Sequence, residues 1–366
     1  SDGGGRPRTD GRTQHSHPEM MQRTLIWDWP TRLFHWSLAA SFALAWLTAE
    51  SDVWLPVHVF SGYLMLGLLG FRLIWGVLGS HYSRFANFWF GPLKALAYLQ
   101  QLASHQATRH VGHNPAGSLA IYGLLFLTLV VCALGILILG GEEQRGLAAG
   151  WLTFSQGKLA KQLHEAGATL MLLLVGLHVT GVIVESVLHR ENLARAMVDG
   201  HKLATPETPR TRPHGILAIL MLLGMLGSAG WWFSGNGAVI GSLGTVATLP
   251  QNALWHEECG SCHTAFYPSL LPARSWQHMM ATQNEHFGTD LALGVDTVRL
   301  VTDFMTTHAA DRHLTEAGFK TDRSLPADAV PLRITDTPYW RKKHRDITAA
   351  DWAKPAVKSK NNCAAC

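Results

Sequence analysis

Two histidines in one apolar segment are the clearest candidates for chemistry in this chain of 366 residues. His164 and His178 are 14 residues apart within the stretch from Leu163 to Glu185, which is close to four helical turns, so both side chains point the same way. Their separation along a helix is ~21 Å, and a bilayer core is ~30 Å thick. Imidazoles at such depths are costly and usually functional. The spacing predicts two stacked metal centres, one near each side of a membrane.

Composition agrees with a chain that lies largely in a membrane. Hydrophobic residues make up 47% of the chain and charged residues 15%, whereas ordinary soluble proteins carry ~25% charged residues. A net charge of +4 does not argue for nucleic acid as a partner. Hydropathy predicts five spans, at about 33–49, 57–78, 116–140, 164–187 and 214–233. Arginines and lysines cluster before the first span and in the second and fourth connections, which predicts a cytoplasmic N-terminus and an external segment after Phe233.

Two further histidines lie at the depths that would complete the metal centres. His35 opens the first span and His58 opens the second. Because successive spans alternate in direction, His35 shares the depth of His178, and His58 shares the depth of His164. Each pair could supply both axial ligands of a haem, an arrangement that leaves no open iron position and suits electron transfer. A zinc site is less favoured, because no third or fourth ligand accompanies either pair.

Small residues and one arginine accompany these histidines. Gly62, Gly167, Gly176 and Gly181 lie near them in sequence and could make room for a flat macrocycle, although glycines also let membrane helices pack closely. Arg72 follows His58 by 14 residues, on the same helical face and at the depth of His178. It could bind a haem propionate, or it could extend its charged end to water at the membrane surface.

The C-terminal third carries a different signature. Cys259, Cys262 and His263 form C-x-x-C-H, the attachment motif of a c-type haem, in which the two thiols bind covalently and the histidine ligates iron. Cys363 and Cys366 repeat the cysteine spacing, with no histidine after them in this sequence. They predict either a second haem c, with histidine expected as the next encoded residue, or a disulfide or free dithiol. About 100 residues separate the two cysteine pairs, far beyond zinc-ribbon spacing.

Several motifs in the first half resemble the prokaryotic cytochrome b561 family, which includes nickel–iron hydrogenase b-type subunits. They are WDWPTRLFHW at Trp27–Trp36, HVFSGY at His58–Tyr63, GHNPAG at Gly112–Gly117 and HEAG from His164. The resemblance covers roughly residues 23–200. It implies a four-helix bundle with two b haems that exchanges electrons with quinones, and it implies His35, His58, His164 and His178 as ligands, in agreement with the depth argument.

The C-terminal sequence is similar to the dihaem cytochrome c family over about residues 255–366. ECGSCHTAFYPSLLPARSWQHMM, HFG, TPYWRKKHRDI and the final NNCAAC carry this similarity. It favours a second haem on Cys363 and Cys366, and it implies His286 and His344 as distal ligands. His278, His308 and His313 are the other histidines from which distal ligands could come. Basic residues near the end of the chain predict either a solvated face or a docking surface for an acidic redox partner.

Together these features predict an all-α membrane protein. We expect an arm over 1–22, a four-helix b-type cytochrome over 23–200, a linker over 201–213, a fifth transmembrane helix over 214–234 and a mainly helical c-type domain over 235–366. An amphipathic helix over 93–104 is expected at the cytoplasmic surface.

The expected function is electron transfer in the bacterial cytoplasmic membrane. Quinone would exchange electrons with a soluble periplasmic redox protein through two b haems and one or two c haems, in either direction. The alternatives are an anchor and conduit subunit of a larger respiratory or photosynthetic complex, and a superoxide-oxidising cytochrome.

Overall fold

A computed structural model describes residues 21–236, 249–357 and 359–363. Most of the predicted arm over 1–22 lies outside these residues. The chain divides into two compact units, one of Ser1–Thr128 with Met171–Leu226 and the other of Leu129–Leu170 with Gly227–Cys366. Two long helices contribute one half to each unit.

The helices and strands of the N-terminal two thirds of the chain follow the predicted all-α pattern with one small addition. In chain order they are β1 (Gln22–Leu25), α1 (Trp29–Thr48), α2 (Leu55–Leu78), α3 (Pro92–Ala103), α4 (Pro115–Gly141), α5 (Phe154–Leu188), α6 (Leu193–Asp199), β2 (His201–Ala204) and α7 (Gly215–Trp231). The helix predicted over 93–104 is confirmed as α3, which buries Ala95 and Tyr98. Its location at the cytoplasmic surface stays a prediction.

Four of the described helices are long and apolar enough to cross a membrane by length and composition. They are Leu55–Leu78, Pro115–Gly141, Phe154–Leu188 and Gly215–Ser234. Helix α1 has 20 residues but is not one of the four, because polar and basic residues such as Arg32 and His35 lower its hydropathy. The first of the five predicted spans, which corresponds to α1, therefore remains a prediction.

Helix α5 is longer than the apolar segment that predicts it. Its 35 residues extend ~52 Å, well beyond a bilayer core of ~30 Å. The segment SQGKLAKQL at 155–163 continues the helix, because lysine, glutamine, leucine and alanine are good helix formers. A hydropathy window recognises only the apolar part of a helix, which matches the hydrocarbon core. The predicted span therefore begins ten residues after the first residue of α5.

Apolar side chains pack the interior of the first unit and also cover its outside. Phe34, Leu68, Leu69 and Leu125 form a buried cluster, with Met221 and Met225 of α7 packed against it. By contrast, many leucines, isoleucines and valines of α2 and α5 are exposed, and this is the surface expected of helices whose solvent is lipid.

A two-stranded sheet joins the two ends of the first unit. β1 and β2 pair antiparallel, with Gln22 opposite Ala204 and Leu25 opposite His201. The Thr211 N–H also donates to the Leu25 carbonyl at 3.0 Å. Residues 201–204 were expected to be linker, because a strand of four residues is too short to show a period.

The C-terminal part of the second unit is a small helical domain. Its helices are α8 (Ala253–Gly260), α9 (Ala273–Ala281), α10 (Val295–Thr307), α11 (Glu316–Ser324), α12 (Pro338–Lys343) and α13 (Ala349–Trp352). Its core contains Trp255, Leu271, Trp276, Val301 and Met305. Short helices around a small core leave surface for a large apolar group, as expected for a domain that binds haem.

Candidate functional site

His35 and His178 face each other in the first unit. Their ring centroids are 6.4 Å apart with 53° between the ring planes. With metal–nitrogen bonds of ~2 Å on each side, two imidazoles that share one metal have ring centroids about 6 Å apart. The His35 Nδ1 is buried and has no hydrogen-bond partner among the described residues. The pair therefore fits the two axial positions of a haem iron.

The start of α1 sets the position of His35. Asp28 is fully buried and caps the helix, because its carboxylate accepts the Thr31 N–H at 2.9 Å. The same carboxylate accepts the Trp75 indole N–H from α2 at 3.1 Å. His35 follows Asp28 by two turns, so the cap and the cross-helix bond together fix its height and direction.

The glycines near the histidines separate into two groups. A Cβ added at Gly62, Gly176 or Gly181 would have no described atom within 4 Å, whereas one added at Gly167 would lie 3.0 Å from the Val131 side chain. Gly167 thus serves close helix packing. The other three border open space, where a macrocycle would have room.

His58 and His164 are each oriented by a backbone carbonyl. The His58 Nδ1 lies 2.9 Å from the Ala45 carbonyl, and the His164 Nδ1 lies 2.9 Å from the Val131 carbonyl. A proton on Nδ1 gives the lone pair to Nε2, the arrangement found in metal-binding histidines. His58 belongs to the first unit and His164 to the second. Their pairing stays a prediction.

Arg72 is buried, with 4% of its surface exposed. Its guanidinium donates to the Ser83 carbonyl at 3.0 Å and lies 4.5 Å from the Phe85 ring centre. A side chain that extends to water at the membrane surface would be exposed at its charged end, so the burial disagrees with that alternative. The propionate contact stays a prediction.

The C-terminal domain contains a second facing pair. His263 and His286 have ring centroids 6.4 Å apart and planes inclined by 28°, a separation that again matches two imidazoles on one metal. The His263 Nδ1 lies 2.8 Å from the Thr264 carbonyl. The His286 Nδ1 is buried without a described partner. Burial and then the nearby charge of His263 lower the pKa of His286, which favours the neutral, ligating form.

The two cysteines of the first motif lie at the end of α8, next to this pair. Cys259 packs against the domain core, while Cys262 is exposed. Burial, followed by the charge of Glu258, raises the pKa of Cys259 to about 11. The arrangement fits covalent attachment of a haem between His263 and His286.

His344 lies at a separate cavity of about 310 Å³. Its Nδ1 is 2.8 Å from the Trp340 carbonyl, and its ring stacks on that of Trp340 at 4.1 Å. The cavity is lined by Ala317 and Thr321 of α11 together with Thr337, Trp340 and His344. This site could hold a second haem. Cys363 is exposed, and Cys366 lies outside the described residues.

The other histidines of this domain have different surroundings. His278 is exposed, and the His308 Nδ1 lies 2.8 Å from the Phe304 carbonyl. The His313 Nε2 lies 2.8 Å from an oxygen of Asp322, which occupies the nitrogen that most often binds a metal. His286 is therefore better placed than His278 or His313 to face His263.

Family comparisons agree with both halves of this arrangement. Residues 26–200 match the family model of prokaryotic cytochrome b561, and residues 255–366 match that of dihaem cytochrome c. The chain joins a prokaryotic cytochrome b561 to a dihaem cytochrome c. Both resemblances inferred from the motifs are thereby confirmed, and haem-mediated electron transfer in a membrane follows from them.

Individual relatives match one half or the other. A probable Ni/Fe-hydrogenase B-type cytochrome subunit of Azotobacter vinelandii is 24% identical over 219 residues, which is 50% of this chain and 90% of that protein. The protein with the same description from Cupriavidus necator is 25% identical over 217 residues, 50% of this chain and 88% of that protein. The solved diheme cytochrome c from Rhodobacter sphaeroides is 34% identical and covers 33% of this chain and 93% of its own, with a TM-score of 0.30.

The cytochrome b561 domain contains a half-buried histidine to which the sequence analysis gave no role. His113 belongs to the GHNPAG motif, and its ring lies 4.7 Å from Trp27 and 4.2 Å from Phe88. Burial lowers its pKa, with further contributions from the positive charges of Arg72, Lys202 and His178. The sequence signal for His113 was the GHNPAG motif itself, in which the neighbouring Asn114 caps α4.

A buried glutamate with a tyrosine and a histidine as partners also escaped the sequence analysis. Glu185 of α5 accepts a hydrogen bond from the Tyr98 hydroxyl of α3 and lies 3.4 Å from the His189 Nε2. Glu185 is 7% exposed and follows His178 by two turns. The spacing His178 to Glu185 on one face was available, but a glutamate at the end of a span is usually read as a solvated residue. Its tertiary partners show that it is enclosed.

Replacing Arg72 with leucine is expected to lower the midpoint potential of the haem at the His35–His178 site by tens of millivolts. Removing a positive charge near the propionates favours the oxidised, more positive iron. Redox titration of the purified protein measures this. Arg72→Lys, which keeps the charge, should retain most of the potential, and Arg84→Leu removes an exposed arginine as a control. An unchanged potential in Arg72→Leu would contradict the propionate contact.

Proposed function

We propose that this protein transfers electrons across the bacterial cytoplasmic membrane, between the quinone pool and a periplasmic redox partner, through two b haems and two c haems. The observation that carries the proposal is that two pairs of facing histidines have the same ring separation. His35 and His178 in the cytochrome b561 domain, and His263 and His286 in the cytochrome c domain, both have ring centroids 6.4 Å apart.

The ligand sets suit electron transfer rather than oxygen chemistry. A bound haem supplies a one-electron carrier, and two histidine ligands leave no iron position open for substrate. We assign His35 and His178 to the inner b haem, on the cytoplasmic side. We assign His58 and His164 to the outer b haem, on the basis of the membrane depth predicted from the sequence. His263 and His286, with Cys259 and Cys262, hold one haem c, and His344, Cys363 and Cys366 contribute to the other.

A quinone reaction also needs proton exchange, and the cytochrome b561 domain has residues for it. The Tyr98 hydroxyl, the Glu185 carboxylate and the His189 imidazole form a chain two turns from His178, in which Tyr98 and Glu185 are buried. A carboxylate and an imidazole can each hold and release a proton. This cluster supports quinone chemistry near the inner haem.

The end of the cytochrome c domain suits an acidic partner. Exposed basic residues lie there, namely Arg341, Lys342, Lys343, Arg345, Lys354 and Lys360. Opposite charge on a soluble redox protein would raise the rate of encounter and make it depend on salt. The c-type attachment motif, which belongs to oxidising compartments outside the cytoplasm, supports a periplasmic location.

Quinol-driven reduction of the purified chain in liposomes tests the proposal. Durohydroquinone should reduce the b bands first and the c bands afterwards, as followed by stopped-flow absorbance. Glu185→Gln should slow b reduction by quinol about tenfold or more but leave reduction by dithionite unchanged. A wild-type protein that dithionite reduces and quinol does not would contradict the quinone reaction.

A second function is favoured by the relatives. Both proteins described above are probable b-type subunits of a Ni/Fe-hydrogenase, so this chain could anchor a larger complex and conduct its electrons. Purification from the native membrane distinguishes the two. A companion protein present in constant stoichiometry would favour the subunit function.

A further inference from the structure

We propose that helix α11 of the cytochrome c domain is an intramolecular docking element that binds the first turn of α5 and makes the His344 site the electron partner of the cytochrome b561 domain. The inference rests on the electron transfer proposed above. The residues involved, 154–164 and 313–344, belong to one compact unit.

A backbone hydrogen bond forms the centre of this contact. Phe154 is the first residue of α5, so its N–H has no acceptor within the helix. The His313 carbonyl of the cytochrome c domain accepts that N–H at 2.9 Å. The partner of this end of α5 is therefore the cytochrome c domain.

Aromatic packing surrounds the hydrogen bond. Phe154 is buried, and its ring lies 5.5 Å from that of Phe319 in α11. Lys158, one turn further along α5, has its ammonium 5.9 Å from the Phe319 ring centre. His313 packs edge-on against the same ring at 5.3 Å. Phe319 is thus the aromatic anchor of the contact.

Charges on the two sides of the contact are complementary. The hydrogen bond from Lys320 is the main cause that lowers the pKa of Glu316, and the positive charge of Lys158 adds to it. Glu142, just after α4, in turn adds to the raised pKa of Lys320, whose main cause is the bond to Glu316. Each cross-domain charge pair is therefore attractive.

The position along α5 connects the contact to a proposed ligand. His164 follows Phe154 by ten residues, ~15 Å along the helix axis. The residues between them belong to the part of α5 that exceeds the length of the hydrocarbon core. The contact therefore holds the cytochrome c domain at the end of α5 that carries His164, where a short path for electrons is needed.

The two faces of α11 identify which haem site is nearest. Phe319 points to α5, whereas Ala317 and Thr321 line the cavity at His344. Residues four apart share a helix face and residues two apart do not, so one helix, about 10 Å thick, separates α5 from that cavity. His263 and His286 have no described contact with α5. The His344 site then exchanges electrons with the cytochrome b561 domain, and the His263–His286 site faces the soluble partner.

Phe319→Ala in the full chain tests the docking contact, with Leu300→Ala as a control that removes an exposed leucine from α10. Hydrogen–deuterium exchange reports the Phe154 amide directly. Phe319→Ala should speed its exchange and slow the reduction of the c haems by the reduced b haems about tenfold, since an aromatic anchor carries much of a contact's binding energy. Leu300→Ala should change neither.

Two results would overturn the docking proposal. One is an unchanged Phe154 exchange rate in Phe319→Ala, and the other is faster exchange with an unchanged rate of c reduction. Two parallel experiments deliver electrons to the b haems, one with durohydroquinone and the other with a photoreduced flavin. If only the flavin reduces the wild-type b haems, the quinone reaction is wrong, and the flavin experiment still decides the docking proposal.

The order of the two c sites is tested by ligand variants. His286→Ala should leave reduction of the His344 site by the cytochrome b561 domain at its wild-type rate. His344→Ala should slow reduction of the His263–His286 site about tenfold or more, since it disables the nearer site. The opposite pattern would show that the His263–His286 site is the entry point and would overturn the assignment.

Discussion

His35→Ala is expected to remove one b haem and leave the other in place. His35 faces His178 at 6.4 Å, and its Nδ1 has no other described partner. Loss of an outer-shell partner costs about 10–100-fold in metal affinity, and loss of a ligand should cost more. One of the two b components should therefore disappear.

Spectra and redox titrations of purified variants measure this outcome. His178→Ala should remove the same component as His35→Ala, and His58→Ala and His164→Ala should both remove the other. His105→Ala, which changes an exposed histidine, should keep both. If His35→Ala and His58→Ala lost the same component, the depth pairing would be wrong.

The double variant Cys259→Ala/Cys262→Ala should lose one covalently bound haem from the chain. These thiols come just before His263 of the facing pair in the sequence, and thioether bonds can form only at cysteines. Intact mass spectrometry under denaturing conditions should show a loss of one haem mass relative to the wild type, beyond the change in the side chains.

Two comparisons make this second test specific. Cys132→Ala should retain every covalent haem, because Cys132 lies in the middle of α4 and outside either motif. Cys363→Ala/Cys366→Ala should lose the second covalent haem while the first remains. A wild-type mass with a single haem would contradict the assignment of Cys363 and Cys366, and an unchanged mass in the double variant would contradict that of Cys259 and Cys262.

Arg72 and Glu185 illustrate why the burial of a charged side chain matters to these predictions. Arg72 and Glu185 both lie near the ends of apolar helices, where a charged side chain usually reaches water. In this protein each is enclosed, Arg72 by Ser83 and Phe85 and Glu185 by Tyr98 and His189. A buried charge is costly unless it is paired, so we expect substitutions here to affect function as well as folding.

The sequence by itself determined the residue types that could bind haem and their order along the helices. The interval between His164 and His178 sets a depth, and C-x-x-C-H sets a covalent attachment, because both depend on spacing within one local segment. The family of each half followed from short motifs for the same reason. Helix positions came from hydropathy, which is local as well.

Only the tertiary structure decided which residues meet across the chain. Asp28 caps α1 and also binds Trp75, β1 pairs with a strand about 180 residues later, and Phe154 donates to His313. Each contact joins residues far apart in sequence, so no period or motif announces it. The ten residues of α5 before His164 were missed because they are helical but not apolar, and their packing against α11 depends on a surface that the local sequence does not contain.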